Sequence, residues 1–95
     1  MVSPKGKRRR CVYCGSQGPL TVEHVVPLSR WRDFGIKRRV LDNKSNRVLA
    51  CARCNAEKGN MSPQKWFEMH PEYRERFRRE ARYVSDTVKR IAGLL

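Results

Sequence analysis

Two Cys-x-x-Cys knuckles, Cys11-Val12-Tyr13-Cys14 and Cys51-Ala52-Arg53-Cys54, constrain this chain more than any other feature. Two intervening residues let both sulfurs of a knuckle turn toward one point, and two such knuckles close a tetrahedron around zinc. Gly15 follows the first pair directly and is free to take the positive φ of a tight turn. Four thiolates saturate the ion and leave no open position, so the role expected of Cys11, Cys14, Cys51 and Cys54 is structural. A metal held this way contributes about 10–16 kcal/mol to folding, more than the net stability typical of a small domain. A redox role would need only one knuckle, at the start of a helix in a βαβ unit, and two disulfides would suit a secreted chain. The paired spacing favours zinc over both.

A chain of 95 residues, 39% hydrophobic and 8% aromatic, makes one domain with a small core and needs such a staple. Its charge restricts the partner. Twenty-two Lys and Arg against nine Asp and Glu give a net charge of +13, a field that attracts polyanions and supplies phosphate contacts. DNA is the partner expected. A membrane surface is the competitor, but no basic segment carries a wide apolar face to insert, and no stretch approaches a transmembrane helix in length. The basic run Met1–Arg10 leads into no apolar segment, unlike a signal peptide. The expected setting is a reducing cytoplasm, bacterial or phage-infected, where paired cysteines favour metal.

Along the chain, residues 1–10 read as a flexible basic arm, residues 11–60 as the core and residues 61–95 as C-terminal helices. Residues 21–27 are rich in β-branched side chains and stopped by Pro27, which predicts a strand. Residues 28–45 read as a loop with a helical turn around Trp31, and Asp42-Asn43-Lys44-Ser45-Asn46 is turn chemistry. Arg47–Ala50 predicts a second strand, and a helix is expected from Asn55 to about Gly59 or Asn60. Ser62-Pro63 starts a short helix ending at Met69. Pro71 starts a longer one, in which Tyr73, Phe77, Val84, Val88, Ile91 and Leu95 form one apolar stripe on a helical period. That stripe must be covered by the core or by a second copy. The small core favours a homodimer through the C-terminal helix. His70, before Pro71, reads as a helix-boundary residue.

Between and around the knuckles stand the residues that point to chemistry. The segments Cys11-Val12-Tyr13-Cys14-Gly15, Glu23-His24-Val25-Val26-Pro27, and Asn46 through Cys51, Cys54, Asn55 and Lys58 to Gly59 resemble, in order and spacing, the HNH (His-Asn-His) nucleases in their zinc-ribbon subgroup. The resemblance covers residues 11–60. It implies a small α+β fold, a ββα-metal core stapled by structural zinc and followed here by a C-terminal helical tail. It implies His24 as general base, Glu23 and Asn55 as ligands of a catalytic divalent ion such as Mg²⁺ or Mn²⁺, and Asn46 as the catalytic-motif residue that steadies the loop between the strands. Many relatives carry aspartate where Glu23 stands, and the last motif position, a histidine by name, is Asn55 here. The implied products carry 5′ phosphate and 3′ hydroxyl ends.

Chemistry supports the same set. Phosphodiester hydrolysis needs a base for water, a cation for the phosphoryl oxygens and stabilisation of the departing 3′ oxygen. A histidine titrating near neutrality supplies the first, and an ion held by carboxylate and amide oxygens the other two. Arg30 and Lys58 are candidates for phosphate contacts. Adjacent strand residues face opposite ways, so Glu23 and His24 converge only where the strand is distorted or ending. Taken singly, each residue has a blander reading: His24 as a satisfied strand residue, Asn55 as a helix cap. A non-catalytic zinc module that binds DNA, and a nuclease acting on RNA or branched nucleic acid, are the alternatives.

Overall fold

The computed structural model describes residues 9–95; most of the basic arm, residues 1–8, lies outside the described residues. Two antiparallel strands, β1 (Leu20–His24) and β2 (Arg47–Cys51), make a hairpin in which Leu20 pairs with Cys51 at one end and His24 with Arg47 at the other. The connection holds a 3₁₀ turn at Leu28–Phe34, a helical turn α1 (Arg38–Leu41) and a second 3₁₀ turn at Lys44–Asn46. The fold is the small α+β expected, with the turn around Trp31 in place.

Helix α2 (Ala52–Lys58) starts inside the second knuckle, three residues before the expected Asn55. The reason is the cysteine itself: Cys51 Sγ accepts the Cys54 N–H at 3.4 Å and caps the helix. The first knuckle repeats this bond, with Cys14 N–H donating to Cys11 Sγ at 3.4 Å, and is tied to β2 by Val12 N–H donating to Leu49 O. Gly15 has φ of 80°, and a Cβ there would stand 2.7 Å from the Arg76 guanidinium carbon. The positive φ favours glycine there, and a side chain would also displace the end of the Arg76 side chain.

Helices α3 (Pro63–Met69), α4 (Pro71–Glu80) and α5 (Asp86–Ile91) complete the chain. Ser62 caps α3 by accepting the Lys65 N–H. The long helix expected after Pro71 is broken: α4 ends at Glu80, and Ser85 caps a new helix by accepting the Val88 N–H. The break turns the stripe back onto its own core. Phe77, Val84 and Val88 are buried, Tyr73 and Ile91 half-buried, and only Leu95 is exposed, at 66%. At the centre of this packing is Tyr13, stacked on Phe77 at 5.9 Å and edge-on to Trp66 and Phe67. The knuckle therefore supplies the aromatic residue on which the C-terminal helices pack. Most of the stripe is covered without a second copy. No helix among the described residues is long and apolar enough to cross a membrane.

Candidate metal centre and histidine cleft

All four sulfurs of Cys11, Cys14, Cys51 and Cys54 lie within 4.8 Å of one another, and none is in a disulfide. The donor set fits a soft, tetrahedrally coordinated ion. Burial pushes the Cys51 thiol up, but the Cys54 N–H and the surrounding thiols outweigh this and bring it down to about 7. Burial and the same neighbours push Cys54 well up. Four thiols so close cannot ionise together without a cation among them. Among the described residues this is the one group of three or more His, Cys, Asp or Glu side chains gathered closely enough to hold an ion.

The second site lies at the other end of the ladder. Helix α2 leaves the cysteine cluster and runs back along β1, so Asn55 reaches Thr21 and Lys58 reaches the end of the strand. Asn55 Nδ2 donates to Thr21 Oγ1 at 2.8 Å, which leaves its Oδ1 as the atom available to accept or ligate. Val22, Glu23, His24, Pro27, Leu28, Asn55 and Gly59 line one cleft. Sequence reasoning placed Glu23, His24 and Asn55 in one site, and the fold brings all three to its wall.

They are not equally open. Glu23 is 5% exposed. Its carboxylate accepts from the Tyr13 hydroxyl at 2.8 and 3.2 Å and stands 3.3 Å from Lys58 Nζ. Burial pushes Glu23 up, against the pull of Lys58 and Tyr13, and burial likewise brings Lys58 down. Lys58 is 2% exposed and also donates to His24 O and Val25 O. The expectation that Lys58 contacts phosphate is therefore corrected: its ammonium is the buried counter-charge of Glu23 and a brace for the end of β1. Arg30 is half-buried, with its guanidinium on Asp33 at 2.9 Å and on Asn60 O.

His24 differs from its neighbour. Its Nε2 is buried yet has no hydrogen-bond partner among the described residues; the nearest carboxylate, Asp42 Oδ1, is 4.0 Å away and pairs with Arg47 at 3.2 Å. Burial, then Arg47, lowers its pKa, with Asp42 opposing and Lys58 and Arg38 reinforcing. These surroundings favour the neutral form of the ring.

Asn46 is wholly buried, and its carboxamide is fully engaged with main chain. Oδ1 accepts the Val26 N–H, and Nδ2 donates to Val26 O and Leu41 O, each at 2.9 Å. With Val25 N–H donating to Asn46 O at 2.9 Å, the residue locks the turn after β1 to the start of β2. Asn46 thus braces the backbone that follows His24. Sequence reasoning did not single out Tyr13, Asp42 or Arg47; the one available signal was an aromatic ring inside a knuckle.

For a hard divalent ion at the cleft, the oxygen donors of Glu23 and Asn55 are right in kind. The Glu23 carboxylate becomes a ligand only by exchanging Lys58 for the ion. Comparison with known families places the chain: the HNH endonuclease family matches residues 11–61, just over half of its length. No curated protein matches it closely enough to count as a relative.

Proposed function

This chain belongs to the HNH endonuclease family, and on that premise we propose that it is a metal-dependent DNA endonuclease with His24 as general base and a structural zinc in the cysteine cluster. One observation carries the reading: a half-buried histidine whose surroundings favour the neutral ring stands on one cleft with a carboxylate and an amide. Hydrolysis needs a neutral base beside oxygen donors for an ion, whereas a binding module does not.

In this mechanism His24 accepts the proton of the attacking water as the water oxygen adds to phosphorus and the bond to the 3′ oxygen breaks. Its surroundings favour the neutral ring, so the base is competent before substrate arrives. Asn46 fixes the backbone that carries the ring, and Asn55 Oδ1 and the Glu23 carboxylate are the oxygens that would hold a divalent ion. When bound, that ion supplies positive charge for the phosphoryl and leaving oxygens. Lys58 balances Glu23 in its absence. The positive field of the chain draws the substrate in.

The experiment is incubation with supercoiled plasmid and Mg²⁺ or Mn²⁺, with and without EDTA. Nicked or linear product that requires added Mg²⁺ or Mn²⁺ and that EDTA abolishes, with circular dichroism showing the fold retained, is the expected result. Intact plasmid under every metal condition, with DNA bound, would replace the enzyme by a binding module.

A further inference from the structure

Outside the cleft, the outer face of the hairpin carries an aromatic residue in an unusual position. Tyr83, in the turn between α4 and α5, is 90% exposed, although Ala81 and Val84 on either side are buried. The turn is anchored: Ser85 N–H donates at 3.0 Å to Ser45 O, in the loop that leads into β2. Tyr83 borders a groove that also holds Val22, Leu49, Arg10, Arg47 and Glu80, the last 3.8 Å from Arg76. Val22 is 62% exposed and lines both this groove and the histidine cleft.

That shared residue fixes the relation of the two. Val22 lies two positions before His24, about 7 Å along a strand, and Arg47 is the register partner of His24. A polymer with one phosphate at His24 that runs past Val22 would reach the groove within one or two nucleotides. The groove offers guanidinium groups for phosphates and an aliphatic floor with an open tyrosine face for something planar. Bases inside a duplex have both faces covered by their neighbours, whereas a base out of the stack can lie on an aromatic ring.

We infer that this groove is a subsite for an unstacked nucleobase adjoining the scissile phosphate, so that strands interrupted by a gap, flap or single-stranded flank are bound in preference to continuous duplex. The inference rests on the nuclease reading above and names its substrate class. A second copy of the chain is the competing occupant. Two chains of charge +13 meeting arginine to arginine repel, which favours the polyanion.

The test uses the full zinc-loaded chain without added Mg²⁺ or Mn²⁺, where binding is read without cleavage, and a duplex with a single-stranded flank carrying 2-aminopurine at successive positions. Wild type should quench the probe at one or two positions beside the junction. Tyr83→Ala should lose that quench and bind the flanked substrate roughly 5- to 150-fold more weakly, while its affinity for continuous duplex hardly changes. Tyr83→Phe should keep both properties. Equal affinities of wild type and Tyr83→Ala for the flanked substrate would overturn the inference, as would a wild-type dimer that Tyr83→Ala dissolves. Wild type that quenches the probe but cuts no substrate with Mg²⁺ or Mn²⁺ would leave the subsite standing and remove the nuclease reading.

Discussion

The two ends of one short hairpin are built on opposite principles. At the end where Cys51 pairs with Leu20, four thiols converge, cap a helix and face one another with nothing left over for substrate. At the end where His24 pairs with Arg47, one strand residue is fully engaged and the next is left wanting: Glu23 has Tyr13 and Lys58, while His24 Nε2 has no partner among the described residues. A structural site is complete within the chain. The histidine end, on the reading proposed above, is complete except for what substrate and solvent bring. Helix α2 joins them, with Cys54 in its first turn and Lys58 at its end, so the staple sets the position of the cleft.

If the staple is structural, its loss should have the largest effect. Cys51→Ala should leave the protein largely unfolded and without bound zinc, because the binding energy of the metal is folding energy. Circular dichroism with metal analysis reads both. A Cys51→Ala protein that melts like wild type would end the distinction between the two regions.

Removing the counter-charge of Glu23 should come next. Lys58→Met leaves a buried carboxylate uncompensated and two backbone carbonyls without their donor, a loss on the order of 3–5 kcal/mol in denaturant unfolding. Adding Glu23→Gln should restore a good part of it, since the charge to be balanced is then gone. A single variant within about 0.5 kcal/mol of wild type would mean that the pair does not hold the cleft.

How much of this was legible in the sequence divides along the same line. The knuckles and the strands were readable because spacing and β-branched residues act locally. The break after Glu80 was not, because Phe77 and Val84 stand seven apart and preserve the helical period across it. Ser85-Asp86, a cap followed by an acid, was the local sign of a new helix. The site residues were readable as a set, yet not their surroundings. Lys58 lies near a helix end beside Gly59, where a lysine ordinarily faces water. Only the packing of α2 along β1 brings it to Glu23, thirty-five positions earlier. Asp42 and Arg47 flank His24 through a turn and a register that no motif encodes.

A smaller effect concerns pH. Burial and Arg47 lower the His24 pKa, so the neutral, proton-accepting form persists below a histidine's usual value of about 6.5. Cleavage should fall as acid protonates the ring, with the midpoint of that acid limb below about 6.5. A midpoint above it, measured at saturating metal, would show that the surroundings of His24 do not keep it neutral.

If the histidine of the cleft is the reacting group, His24→Ala should remove cleavage and little else. Plasmid cleavage by the variant and by wild type is to be compared at matched metal and pH, with zinc content, folding and DNA affinity measured on both. Cleavage should fall on the order of 10²–10⁴-fold, not rescued by added Mg²⁺ or Mn²⁺, with the other properties nearly unchanged because the ring lies outside the cysteine staple. His24→Ala protein that cuts plasmid as fast as wild type would contradict that role.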